Sequence, residues 1–139
     1  MYKNIFAGYT GSQKSKKALE RAFALAQENG ATVTMAWVRD RLPANPLSTG
    51  DVDDEMNEMD EYFNELKAEA RKMAVQYNVA VKCVCLKGNA ANGIAKYTEK
   101  NGCDLIVVGQ TERCGLLKKI FGTFADKVEK ASHRKVLVA

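Results

Sequence analysis

The sequence predicts an α/β fold, a doubly wound five-strand parallel sheet with helices on both faces. Three observations predict it. Short apolar runs of strand length alternate with stretches of helical periodicity from end to end, in the order β-α-β-α-β-α-β-α-β. Two of the helical stretches stop at the same dipeptide, Asn29-Gly30 and Asn101-Gly102. The length, 139 residues, suits one domain with one good core, so residues 1–139 are read as a single unit.

Lys3–Gly8 is a short buried strand centred on Ile5, Phe6 and Ala7. Ser12 is a good N-cap for a helix over 13–29, where Ala18, Leu19, Ala22, Phe23 and Ala26 recur at helical spacing. Ala31–Val38 sets Val33, Met35 and Trp37 against Thr32, Thr34 and Ala36, the alternation of a second strand. Arg39–Gly50 holds both prolines, Pro43 and Pro46, and reads as a loop long enough to carry function. A long helix follows from Val52 to Tyr77. Its stripe of Val52, Met56, Met59, Phe63, Leu66, Ala70, Met73 and Tyr77 is expected to pack on the sheet rather than on a partner helix. Val79–Leu86 is a third strand, and a weaker helix runs from Gly88-Asn89 to about Lys100. Asp104–Val108 is a fourth strand, Thr123–Ala131 a last helix, and Lys135–Ala139 a closing strand.

Composition narrows the function classes. Apolar residues make up 46% and charged residues 27%, which is ordinary for a soluble globular protein. No run reaches the ~18 apolar residues of a membrane helix. The first ten residues lack an export signal, so Cys83, Cys85, Cys103 and Cys114 are expected as reduced thiols in the cytoplasm. The formal net charge is +4, yet residues 51–69 hold nine acids against one base, Lys67. Its first part, 51–61, is a solvated helix start, where acids suit the dipole, or a surface for a partner. The remaining bases are scattered over helices without aromatic interleaving or a nucleic-acid motif, so nucleic acid is not an expected partner.

In an open parallel sheet, ligands sit beyond the carboxyl ends of the strands where strand order reverses. That rule points to Gly8–Ser12, Val38–Asp40 and Gly109–Thr123. The last segment has the chemistry of an anion cradle. Gly109 admits a sharp turn and close approach. Gly122 and Thr123 would offer backbone N–H groups, a hydroxyl and a helix dipole to a phosphate. A plain strand-to-helix connection with an N-cap reads equally well.

Over its whole length the chain resembles the universal stress protein family, in its small single-domain form. The resemblance rests on Asp104-Leu105-Ile106-Val107-Val108-Gly109, Gly115-Leu116, Gly122-Thr123 and the closing Val136-Leu137-Val138. It implies strand order 3-2-1-4-5 and a stress-response module of regulatory or protective kind. Nucleotide-binding members carry G-x-x-G-x9-G-[ST] after strand four and an Asp near the end of strand one. Here the second glycine is Glu112 and the Asp position is Thr10, so the motif is degenerate. A carboxylate 4 Å from a phosphate charge costs roughly 4 kcal/mol at an effective dielectric of about 20. Arg113, Lys118 and Lys119 act in the opposite sense.

The resemblance carries an ATP site, with Mg²⁺, onto Thr10, Val38, Gly109, Thr111, Glu112, Arg113, Gly122, Thr123 and Phe124. It also implies a homodimer through the last strand, at Val136, Leu137 and Val138, whose apolar residues suit an edge that pairs. No nucleophile and base pair can be read, so no catalytic residue is assigned and any ATP hydrolysis is expected to be slow. No metal site is assigned. The alternatives are an adenylate-handling enzyme and a nucleotide-independent interaction module on the same fold. Cys83, Cys85 and Cys103 read as packed thiols, Cys114 as the thiol open to reaction, and His133 as a surface residue. Trp37 either lines the crevice or belongs to the core.

Overall fold

The computed structural model describes residues 2–39, 51–88, 90–109 and 124–139. Strand β1 is Asn4–Gly8, and α1 is Gln13–Asn29. Strand β2 is Thr32–Arg39, α2 is Asp51–Tyr77 and β3 is Val81–Lys87. Helix α3 is Ala90–Asn101, β4 is Leu105–Val108, α4 is Phe124–Ser132 and β5 is Lys135–Val138. All nine expected elements are present, with ends within two residues of those read from the sequence.

The strands form one sheet in the order β3-β2-β1-β4-β5, and every neighbouring pair is parallel. The most apolar strands take the middle, as a parallel sheet covered on both faces requires. Ile5, Phe6 and Ala7 of β1 are fully buried, and so are Ile106 and Val107 of β4. Alternation along each strand then divides the core in two. Ile5, Ala7, Val33, Met35, Leu105 and Val107 meet α1 and α2 on one face. Phe6, Ala36, Ile106 and Val108 meet Ile94 of α3 and Val128 of α4 on the other.

Local chemistry ends each helix. Ser12 is extended at φ −71° and ψ 158°, and its hydroxyl accepts from the Ser15 N–H at 3.1 Å. Gly30 closes α1 in the left-handed region at φ 66°. Two non-glycine residues take the same conformation after α2 and α4, Asn78 at φ 55° and His133 at φ 56°. Asparagine and histidine tolerate that region better than most residues. His133 donates its N–H to the Glu129 carbonyl at 2.9 Å and closes α4 where glycine is usual. At the amino edge of the sheet, the Asp104 carboxylate accepts from the Lys3 and Asn4 N–H groups at 2.7 and 3.2 Å, pinning the start of β4 to β1.

The long-helix stripe packs as expected. Leu66, Ala70, Met73 and Ala74 are buried on the sheet, and Phe63 and Tyr77 are half-buried beside them. Tyr77 stacks on Phe23 of α1, with ring centroids 5.9 Å apart. The side chains of Val52, Met56 and Met59 lie outside the described residues.

Candidate functional site

The topology places the reversal of strand order at β1, whose neighbours are β2 and β4. Register fixes what stands there. Ala7 is level with Met35 and Val107, so Tyr9 and Gly109 stand level with Trp37, two residues further toward the carboxyl edge. Thr10, Val38 and Gly109 therefore share one edge of the sheet, as the sequence predicts.

The turn after β1 is held from several sides. Tyr9 is 1% exposed and donates its N–H to the Ala36 carbonyl at 2.8 Å, which continues the β1–β2 ladder into the turn. Its hydroxyl donates to Glu69 of α2. Thr10 gives its N–H to the Ser15 hydroxyl at 3.2 Å, and its own hydroxyl lies 3.1 Å from that of Ser12 and 3.2 Å from that of Ser15. The Thr10 carbonyl accepts from the Tyr62 hydroxyl. Gly11 follows at φ 88°, a conformation suited to glycine.

Gly109 meets the same corner from β4. A Cβ there would stand 2.8 Å from the Lys14 carbonyl oxygen and 3.1 Å from the Ser15 nitrogen. The glycine thus lets the chain leave β4 against the backbone of the first turn of α1. Ser15 joins the two sides, because it contacts Gly109 through its backbone and Thr10 through its hydroxyl.

Val38 is half-buried and packs on the α3/α4 side. Trp37 points the other way. It meets Tyr62 edge-on at 5.3 Å and Phe63 nearly parallel at 6.0 Å, so the tryptophan belongs to the α2 side of the core. Phe124 begins α4. Thr111, Glu112, Arg113, Gly122 and Thr123 lie outside the described residues, and so does Cys114. A half-open cavity of about 270 Å³ opens at the opposite, amino edge, lined by Asn4, Thr32, Thr34, Lys82 and Tyr97 among others. It includes none of the predicted site residues.

Sequence reasoning missed the two tyrosine–α2 bonds. The only signal for them is that Tyr62 and Glu69 are seven residues apart, which sets both on one face of a helix. Nothing local to Tyr9 or Thr10 names their partners. The thiols are packed as expected in two cases. Cys103 is 1% exposed, and Cys83 is half-buried against the α2 side. Among the described residues no three His, Cys, Asp or Glu side chains gather as a metal group. No described helix is long and apolar enough to cross a membrane.

Three weak acids, two buried and one half-buried, are shifted upward. Burial raises Tyr9 well above its ordinary value of 10.0, and the hydrogen bond and charge of Glu69 raise it further. Burial raises Cys83 above 9.0, with Arg71 and Lys67 pulling partly back. Burial, then Asp104, raises Cys103, against Arg134 and Lys82. Each group keeps its proton in the folded chain at a pH where the unfolded chain releases it. Stability therefore begins to fall as pH rises through 9.0, the ordinary thiol value, and keeps falling past 10.0, that of the phenol, until the raised values are reached. The urea midpoint at about pH 10.5 is expected below that at pH 8, with a smaller drop in Tyr9→Phe. An equal drop in both proteins would remove Tyr9 from the account.

Comparison with known proteins agrees with this architecture. The family model described as the universal stress protein family matches residues 1–139. A universal stress protein of Methanocaldococcus jannaschii is 33% identical over 139 residues, covering 99% of this chain and 82% of the relative. A crystal structure of a universal stress protein in complex with cAMP aligns with TM-score 0.78 at 21% identity, over 99% of this chain and 97% of the other. A universal stress protein family protein from Arabidopsis thaliana with AMP bound aligns with TM-score 0.70 at 15% identity, over 98% and 90%. The fold, its strand order and the match along the whole sequence lead to one conclusion: this chain belongs to the universal stress protein family.

Proposed function

We propose that this protein binds an adenine nucleotide at the carboxyl edge of β1, β2 and β4 and serves as a small regulatory or protective module of the stress response. The observation that carries the reading is the close approach of Gly109 to the first turn of α1 beside Thr10, at the point where strand order reverses. Two family structures with this fold hold cAMP and AMP, which supports an adenine ligand. In this reading Thr10, Val38 and Gly109 form the described side of the crevice. Thr111, Glu112, Arg113, Gly122, Thr123 and Phe124 supply the phosphate and ribose side.

Calorimetric titration with AMP, cAMP and ATP, with and without Mg²⁺, tests it on protein freed of co-purified nucleotide. Roughly micromolar binding is expected for at least one of them, about −8 kcal/mol. Gly122→Val should weaken it at least tenfold. Glu112→Gly should tighten ATP more than AMP, because ATP brings more negative charge near that carboxylate. No binding at about 1 mM of any of the three rejects the reading.

One observation favours the nucleotide-independent alternative. The N–H, hydroxyl and carbonyl of Thr10 already have partners within the protein, so a ligand there must trade with one of them. In that case the module works through protein contacts.

A homodimer through β5 is part of the proposal. β5 ends the sheet, Val136 and Leu137 are half-buried, and Val138 is 44% exposed. Val138→Asp puts a charge on that edge and is expected to give monomer in sedimentation velocity, with an unchanged circular dichroism spectrum. A dimer that survives the substitution excludes this interface.

A further inference from the structure

Two phenols tie the turn after β1 to α2, one from each side. Tyr9 of the turn donates to Glu69, and Tyr62 of α2 donates to the Thr10 carbonyl. The Tyr62 hydroxyl also occupies the space that a side chain on Gly11 would need. Behind it, the Tyr62 ring meets Trp37 edge-on, at 70° and 5.3 Å. Gly11, Tyr62 and Trp37 thus form a line of contact from the turn, through α2, to β2.

The hydrogen bonds of Thr10 decide which link can be exchanged. Its N–H and hydroxyl bond to Ser12 and Ser15, which are the cap and first turn of α1. Those bonds brace the cap of the helix, where the Ser12 hydroxyl accepts from the Ser15 N–H. The carbonyl bond is different. Its donor belongs to another element, and Tyr62 is 38% exposed, so water can take its hydroxyl when it leaves.

We propose that Tyr62 is a latch on the turn after β1: a hydrogen-bond donor on a ligand displaces it from the Thr10 carbonyl, and the movement is passed to Trp37 and α2. The adenine-nucleotide reading supplies only the identity of that ligand, whose amino or ribose hydroxyl groups are donors of the kind required. By linkage, a contact that the ligand must break opposes its binding. Tyr62→Phe therefore binds more tightly, whereas loss of a merely structural support would weaken binding.

Trp37 is the one tryptophan of the chain, so its emission reports one place, the contact with Tyr62 and Phe63. The first test needs no ligand. Gly11→Ala drives a methyl group into the Tyr62 hydroxyl and is expected to shift Trp37 emission. In the Tyr62→Phe background the obstructing hydroxyl is gone while the 3.2 Å approach to Leu66 Cδ2 remains, and most of the shift is expected to be lost. Backbone strain at φ 88° is common to both backgrounds and cancels in the comparison. An equal shift in the two backgrounds, or none in either, overturns the latch.

If Gly11→Ala does not fold, hydrogen exchange on Tyr62→Phe decides. Amides from Thr10 to Ser15 should exchange at least tenfold faster, with β5 unchanged, and unchanged exchange in the turn overturns the latch. The second test adds AMP. The parent should change Trp37 emission on binding. Tyr62→Phe should bind several-fold more tightly and change it little, and weaker binding overturns the latch. AMP that binds neither protein rejects the nucleotide reading, and the latch then stands or falls on the ligand-free result.

Discussion

Gly109→Ala is expected to lower stability by about 2–3 kcal/mol, the upper part of the range for an overpacked site. The added methyl group would meet the Lys14 carbonyl oxygen at 2.8 Å and its carbon at 2.9 Å. Both belong to the backbone of α1, so no side-chain rotation relieves the contact. Either the end of β4 moves away from β1 or the first turn of α1 slides, and Ser15 goes with it. Gly8→Ala is the control. No atom stands within 4 Å of a Cβ at Gly8, and its φ lies outside the left-handed region. That variant is expected to match or slightly exceed the parent, since alanine loses less freedom on folding. Paired urea titrations check both. Equal midpoints for Gly109→Ala and the parent would show that α1 yields at no cost. In the nucleotide reading, Gly109→Ala also lowers affinity, because Gly109 and Thr10 hold the same crevice through Ser15.

Phe6→Ala has the other large expected effect. Phe6 is fully buried in the central strand and faces α3 and α4. Its ring lies 5.8 Å from that of Tyr97, tilted by 47°. Truncation removes the largest side chain of the smaller core cluster and leaves a cavity that a parallel sheet cannot close by shifting one strand. The expected cost is about 3–5 kcal/mol. That is a large part of the ~5–15 kcal/mol available to a domain. At this chain length it lowers the melting temperature by roughly 10–17 °C. Val75→Ala is the comparison, since Val75 is 82% exposed on α2 and its loss should leave melting nearly unchanged. A small shift for Phe6→Ala would mean that α3 and α4 repack into the space.

Much of the fold is legible in the sequence because the signals are local. Helical spacing in 13–29 states which residues face the core, and burial follows it. Alternation in 31–38 states which residues share a face, but both faces are covered, so Thr34 and Ala36 are buried as well as Val33 and Met35. Ser12 and Gly30 mark the ends of α1 by residue type alone. His133 is harder to read, since a histidine closes α4 in the conformation where glycine is the usual signal. Trp37 shows a second limit. Period two places it on a face, but only α2, which brings Tyr62 and Phe63 against it, decides between crevice and core.

The candidate site divides in the same way. Gly109 at the end of β4 and Thr10 after β1 are found by the rule for open sheets, because strand ends are local and the order of strands follows from the family. The sequence by itself determined the elements, the faces they bury, the resemblance that the comparisons bear out, and the residues at the carboxyl edge of the central strands. Only the tertiary structure decided what stands around that edge. Tyr9 and Glu69 are 60 residues apart, and Tyr62 and Thr10 are 52 apart. Pairs so distant leave no periodic trace, because their meeting depends on how α2 lies across the sheet. That placement is set by the packing of Leu66, Ala70 and Met73 on the core, which fixes where the polar neighbours of the stripe come to rest.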